Sequence, residues 1–216
     1  MSKKRIRHRK HANPFTVRAP IAPPDWEAIY GRRAPLALDV GCGAGMFTVE
    51  LARQHPEWNV LGMEIRPHLI ESVKKTAAEA GRDNVHAILA NANRHTSALF
   101  PERSIAFVAV NFPDPWFKKR HHKRRVIRDE WLECLLPKLQ AGAELHVATD
   151  YAALAEDILE LLEQRNELRN LAGPGTFAAH STTGIRTERE LKHQQRGDPI
   201  YRLHYGLVAT PRLASG

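Results

Sequence analysis

The chain is short of cysteine: Cys42 and Cys134 are the only two in 216 residues, far apart and in no metal-ligand spacing. That argues against a disulfide framework and against a structural zinc site. No apolar run approaches the length needed to cross a bilayer, so no membrane partner is expected. The amino terminus is basic, but no apolar segment follows it. A secretory signal is therefore not expected, and the cytoplasm is the expected location. Acids are missing from two stretches. Residues 1–12 carry Lys3, Lys4, Arg5, Arg7, Arg9 and Lys10 with no Asp or Glu, and residues 118–128 carry seven Lys and Arg with none. The net charge is +8, so the rest of the chain is acidic, at −5. A solvated surface would spread its charge, whereas a positive excess confined to two segments points to a polyanion. Apolar content of 43% and charged content of 26% describe a folded chain with one sizeable core. The expected organisation is a mobile basic arm, residues 1–12, ahead of a single domain, residues 13–216.

Residues 13–35 hold Pro14, Pro20, Pro23, Pro24 and Pro35 and read as an irregular lead-in, with one turn of helix near Trp26. Regular alternation then begins. Strands are expected at Leu36–Val40, Val60–Met63, Val85–Leu89, Ile105–Val110 and Leu145–Ala148, with a strand-like run at Ile200–Val208. Helices are expected from about Phe47 to Gln54, from Pro67 to Gly81, from Asp129 to Leu136 and from Tyr151 to Gln164. Pro67 at the start and Gly81 past the end mark the second of these. Strand–helix alternation over this length predicts an α/β fold with a doubly wound parallel sheet. A polar residue stands at or after each of the five strands: Asp39, Glu64, Asn91, Asp114 and Asp150. Helix capping is the ordinary role at such positions. Five in succession instead predict a ligand crevice at the carboxyl edge of the sheet.

Leu38-Asp39-Val40-Gly41-Cys42-Gly43-Ala44-Gly45 is a glycine-rich turn after a strand. Its spacing is G-x-G-x-G rather than the G-x-G-x-x-G of dinucleotide enzymes. The acid two residues before Gly41 suits a ligand bearing an ammonium group and would repel a pyrophosphate. Glu64 ends the next strand, placed to accept from ribose hydroxyls. The pattern resembles S-adenosylmethionine-dependent methyltransferases of the Rossmann-like class.

Asn111-Phe112-Pro113-Asp114-Pro115-Trp116 narrows the resemblance, together with Lys118 and the run Arg120-His121-His122-Lys123-Arg124-Arg125. So do Ala148-Thr149-Asp150, Thr187-Glu188-Arg189-Glu190 and Gly197-Asp198-Pro199-Ile200-Tyr201-Arg202. In order and spacing these resemble the bacterial tRNA (guanine-N7)-methyltransferase family. The resemblance implies a Rossmann-like methyltransferase fold, mostly parallel, with an antiparallel C-terminal strand. It implies methylation of N7 of guanine 46 in the tRNA variable loop, with S-adenosyl-L-methionine as cofactor and tRNA as partner. Carried over, the cofactor meets Asp39, Gly41, Glu64, Asn91 and Asp114. The substrate meets Asp114, Lys118, Asp150, Thr187, Glu188, Arg189 and Glu190. Many members have an acid where this chain has Asn91, and an amide donates as well as accepts.

Guanine N7 carries an in-plane lone pair and attacks without losing a proton, so no general base is required. The enzyme's tasks are alignment and stabilisation of the positive charge that develops on the purine. A carboxylate accepting from guanine N1–H and N2–H₂ does both, with Asp114 the first candidate catalytic residue and Asp150 the second. Trp116 or Phe112 can stack on a base or belong to the core. Arg120, Lys123, Arg124, Arg125 and Arg128 are the expected phosphate contacts. His121 and His122 have no third ligand in evident spacing, so no metal is expected. Monomer and homodimer both remain open. The competing readings are a same-fold methyltransferase acting on another substrate and a non-catalytic RNA-binding protein.

Overall fold

A computed structural model describes residues 12–208. The predicted basic arm, apart from Ala12, lies outside the described residues. Seven strands form one sheet: β1 (Leu36–Val40), β2 (Asn59–Glu64), β3 (Val85–Leu89), β4 (Ile105–Asn111), β5 (Leu139–Thr149), β6 (Leu168–Asn170) and β7 (Tyr201–Leu207). Their order is β3-β2-β1-β4-β5-β7-β6. β1 to β5 pair in parallel, and β7 runs antiparallel to both β5 and β6. Every residue of β1 and β2 is buried, as expected for central parallel strands covered on both faces. The chain winds outward from β1 to β3, then returns to β4 on the other side of β1. The crevice for a ligand is therefore at the carboxyl ends of β1 and β4.

The helices are α1 (Trp26–Tyr30), α2 (Met46–Gln54), α3 (Pro67–Glu79), α4 (Ala92–Leu99), α5 (Asp129–Leu135), α6 (Ala152–Glu163) and α7 (Glu188–Arg196). α4, α7 and β6 go beyond the sequence expectation, and β5 begins six residues earlier than expected. Along β5 the register with β4 jumps, from Ile105 opposite Leu139 to Phe107 opposite Glu144. Gly142, at φ +75°, lies inside this irregularity, which hides the strand's first half from a period-two reading. Trp131 of α5 is wholly buried, and its indole N–H donates to Thr96 Oγ1 of α4 at 3.2 Å. That bond satisfies the one polar atom of the largest fully buried side chain.

Candidate active site at the carboxyl edge

The turn after β1 is held by its own backbone. Gly41 N and Cys42 N both donate to Met63 O, at 2.8 and 3.1 Å. Gly41 and Gly43 have φ of +78° and +58°, and a Cβ at either would meet nothing within 4 Å, so the outer side of the turn is open. Gly45 is different: a Cβ there would lie 2.9 Å from the Val73 side chain, so α2 can start against α3 only with glycine. Cys42 is buried, and its thiol is pushed well up, by burial first and then by Asp39 and Glu64. It is a packing residue of the turn and not a nucleophile.

Beneath the turn lie two buried acids. Glu64 is 2% exposed. One oxygen accepts from Ile65 N (2.7 Å), Arg66 N (3.1 Å) and Arg66 Nε (3.0 Å), and the other from Gly43 N (3.1 Å) and Arg66 Nη2 (2.8 Å). Its first task is thus to tie the glycine turn to the end of β2, where the sequence suggested an open acceptor. Asp39 is 1% exposed and accepts from Thr48 Oγ1 at 2.7 Å, joining β1 to α2. Burial raises its carboxyl from 3.8 to about 7; the Thr48 bond opposes that shift and the neighbouring Glu64 adds to it.

A raised carboxyl means that the folded protein keeps a proton which the unfolded chain has lost between 3.8 and about 7. The burial penalty is absent below that window and grows as pH rises through it. Asp39→Asn should accordingly gain about 2–3 kcal/mol of stability relative to wild type between pH ~5 and pH ~8. Urea unfolding of both proteins at the two pH values measures this. A difference that does not change with pH would mean that Asp39 is ionised in the fold at no cost.

Asn91 occupies the N-cap position of α4 but makes no side-chain cap bond. Its amide instead donates to Pro14 O at 2.7 Å. Arg94 Nε donates to Arg18 O at 3.1 Å, and the Arg124 guanidinium lies 5.8 Å from the Phe15 ring centre. The lead-in from residue 13 to residue 18 therefore crosses the Asn91 side of the crevice.

The segment after β4 forms an arch. Phe112 and Trp116 both have left-handed backbones, φ +50° and +48°, uncommon for bulky residues. Asp114 stands between them, flanked by the two prolines. Contacts on several sides hold this conformation, among them Phe112 N donating to Ala148 O (2.7 Å), Arg125 Nε donating to Pro115 O (2.9 Å), and Arg124 lying 4.9 Å from the Trp116 ring centre. Backbone strain held from several sides is a feature of functional segments. Asp114 is close enough to Arg66 to contribute to raising its guanidinium, behind the larger effect of Glu64. Asp114 thus lies near the Glu64–Arg66 pair that tethers the glycine turn. Phe112 and Trp116 are buried, at 8% each, while Phe117 is 55% exposed and meets Tyr151 edge-on at 5.0 Å.

Asp150 lies on the other side. Arg189 Nη2 donates to both of its oxygens at 3.0 Å, and His193 Nε2 is 3.0 Å from one of them. His193 Nδ1 is 3.0 Å from Asp198 Oδ2, and its ring stacks near Phe112 with centroids 6.0 Å apart. Arg189 also lies 5.5 Å from the Phe112 ring centre. Thr187 caps α7 by accepting from Glu190 N at 3.1 Å. Glu190, 3% exposed, pairs with Arg202, and Glu188 pairs with Lys192 on the outer face of α7. Asn111, at the end of β4, has a buried side-chain N–H₂ with no partner.

The basic block divides in two. Lys118, Lys119, Arg120 and Lys123 are exposed on a short 3-10 helix, Lys119–Arg124, and the residue before it. Arg125, expected to bind phosphate, is committed to Pro115 O, His122 and Asp157 (2.6 Å), with 11% of its side chain exposed. Arg128 is similarly bound, to Asn93 Oδ1 (2.6 Å) and Lys123 O (3.2 Å). These two brace the arch and the start of α5. The outward positive charge is carried by the other four, beside Arg124 on its aromatic seat.

A family model described as a putative methyltransferase matches residues 33–203. A curated tRNA (guanine-N(7)-)-methyltransferase of Synechococcus sp. (strain JA-3-3Ab) is 40% identical over 200 residues, covering 91% of this chain and 84% of its own. Another, from Synechocystis sp., is 34% identical over 203 residues, covering 92% and 96%. The chain belongs to the tRNA (guanine-N7)-methyltransferase family. Among solved structures, the 16S rRNA methyltransferase KamB superposes with a TM-score of 0.59 at 18% identity, covering 87% of this chain and 95% of its own. The aminoglycoside resistance methyltransferase NpmB1 gives 0.55 at 21%, covering 84% and 91%. These two show the fold, Rossmann-like and mostly parallel.

In this member of the tRNA (guanine-N7)-methyltransferase family, Asp39, Gly41, Glu64, Asn91, Asp114 and Asp150 all lie at or next to the carboxyl ends of the strands. Thr187, Arg189 and Glu190 reach the same edge through α7 and its pairing with Asp150 and Arg202. Glu188 points away, towards Lys192. His193, Arg66 and Thr48 were not singled out in the sequence, and Arg202 entered only as the end of a motif. Each acts by contact with a residue that was singled out: Arg66 from two positions along the chain, Thr48 from nine, and Arg202 and His193 from farther. Among the described residues no helix is long and apolar enough to cross a membrane.

Proposed function

We propose that this protein transfers a methyl group from S-adenosyl-L-methionine to N7 of guanine 46 in the variable loop of tRNA, in the cytoplasm. The observation that carries the reading is the Phe112–Trp116 arch, which fixes Asp114 at the switch point between the glycine turn and the Asp150 cluster. Relatives named for the guanine-N7 reaction support the base and the atom; the position within tRNA rests on the resemblance of the motifs.

The site fits the cofactor. The turn is open on its outer side, and two buried acids lie beneath it. Acids under the turn suit a cationic ligand. When bound, S-adenosyl-L-methionine supplies an already activated, positively charged methyl group. Gly41, Gly43, Asp39 and Glu64 would hold it, with Asn91 at the far side of the crevice. Asp114 accepts from guanine N1–H and N2–H₂, turning N7 into line. Its negative charge also favours the purine as that becomes cationic. The Asp150–Arg189–His193 cluster closes the substrate side and keeps Asp150 oriented. Lys118, Lys119, Arg120 and Lys123 hold backbone phosphates. Incubating bulk tRNA with the protein and cofactor, then mapping the product, tests the reading: 7-methylguanine at position 46 alone is expected. A different base, or no transfer to any tRNA, would replace it.

Replacing both Lys118 and Lys123 with Ala should weaken tRNA binding whatever the tRNA. It should also flatten the log–log salt dependence by roughly 0.7–0.9 for each lost phosphate contact. Arg125→Ala should behave differently. Its bonds to Asp157 and Pro115 are internal, so thermal stability should fall and the salt slope should hold. Identical behaviour of the two variants would mean that the block does not divide as described.

A further inference from the structure

One cluster belongs to neither the cofactor crevice nor the basic block. His146 of β5 and His204 of β7 are direct cross-strand partners. Glu144 lies two residues before His146, on the same face of the sheet. Its Oε2 is 2.9 Å from His146 Nε2 and 2.9 Å from His204 Nε2. All three ligand atoms lie within 4.8 Å of one another, the single such group among the described residues. We propose that Glu144, His146 and His204 bind a zinc ion, with water in the fourth position.

The donor set is two imidazoles and a carboxylate with no thiolate, a combination that zinc takes tetrahedrally at roughly 2.0–2.2 Å per bond. Such bonds set neighbouring ligand atoms roughly 3.3 Å apart. The two carboxylate–imidazole separations need to open by only a few tenths of an ångström. Glu144, with 44% of its side chain exposed, can supply that movement and leaves a way in from solvent. The histidines are held more firmly, at 11% and 17%. Their rings lie 4.2 Å apart, and His146 also packs on Phe107 at 4.6 Å. With its Nε2 lone pair on the metal, His146 carries its proton on Nδ1, which faces Thr182 Oγ1. An acceptor on the far ring nitrogen fixes the tautomer of a ligating histidine, and here the Thr182 hydroxyl is placed to be that acceptor.

Placement gives the site a purpose. Both imidazoles line a cleft shared with Asn111, Glu190 and Arg202. Thr182 lies on the stretch that leads to Thr187, the cap of α7. Zinc here would clamp β5 to β7 and, through Thr182, anchor the approach to the substrate-side helix. No spacing in the chain marks it, because the ligands are two and 58 residues apart.

The test is zinc content of the untagged full chain after dialysis against zinc and then metal-free buffer, with cobalt as a spectroscopic substitute. One zinc per chain and a cobalt band of four-coordinate type are expected. Glu144→Gln and His204→Gln should lose both signals while circular dichroism stays native. Thr182→Val, which removes no ligand, should weaken zinc binding by about 10–100-fold. If His204→Gln does not fold, Glu144→Gln and the wild-type cobalt spectrum decide. No retained zinc and no cobalt band in wild type would reduce the group to a hydrogen-bonded cluster. Equal zinc in wild type and Glu144→Gln would place the metal elsewhere and would overturn the assignment.

Discussion

Asp114→Asn is expected to lower kcat by about 10²–10³-fold, the size of losing one charge-stabilising contact in the transition state. Asn fits the same backbone between the same prolines, so the arch should persist. The amide, however, turns a donor where a carboxylate only accepts. It meets guanine N1–H or N2–H₂ with an N–H₂ of its own, or keeps one bond and loses the charge. tRNA affinity should barely change, because the exposed lysines and Arg120 carry most of it. Single-turnover rates on saturating tRNA, together with melting curves, separate the effects. Near wild-type turnover in a folded variant removes Asp114 from the chemistry, and Asp150 would inherit the role.

Glu64→Gln is expected to be the most destabilising change at the crevice, by about 1–3 kcal/mol, the range for leaving buried hydrogen-bonding groups unsatisfied, since the Arg66 side chain is half exposed and can be solvated. Glu64 accepts five hydrogen bonds from Gly43, Ile65 and Arg66. Gln turns one accepting oxygen into a donor pressed against donors, and it leaves Arg66 without its counter-charge. Cofactor affinity should fall as well, since the glycine turn loses its tether to β2. Denaturant unfolding and cofactor titration measure the two losses. An unchanged unfolding midpoint would show that the Glu64 network contributes nothing to the fold.

Much of the sheet was legible because β1, β2 and β4 are short apolar runs ended by polar residues, and α3 carries Pro67 and Gly81 at its ends. α7 was not, because its sequence, Glu-Arg-Glu-Leu-Lys-His-Gln-Gln-Arg, has no apolar stripe, and Glu190 is its one buried residue. Its ends did carry a signal. Thr187 with Glu190 three residues on has the spacing of a capping box, and Gly197 is a left-handed C-cap. The tail of β5 was readable and its head was not, because the irregularity around Gly142 breaks the alternation. At the site, the strand-end acids and the arch motif stood out in the sequence. The partners that decide what each acid can do did not: Thr48 for Asp39, Arg66 for Glu64, and Arg189 with His193 for Asp150. The same holds for Arg125, whose positive charge reads identically whether it faces RNA or Asp157.

The reversed strand β7 has a consequence for the order in which the protein is made. β1 to β4, the glycine turn and the arch are complete in sequence by Trp116. β5 waits for residues 201–207 before its free edge is paired, and Asp150 waits for Arg189 and His193. During synthesis, then, the cofactor half of the crevice has its strands long before the guanine half does. In that interval β5 presents an edge of unpaired backbone N–H and C=O groups. β7 closes it late and antiparallel, with β6 already waiting to flank it. A nascent chain halted before residue 201 would expose that edge, and it is the point at which this fold is most open to mispairing.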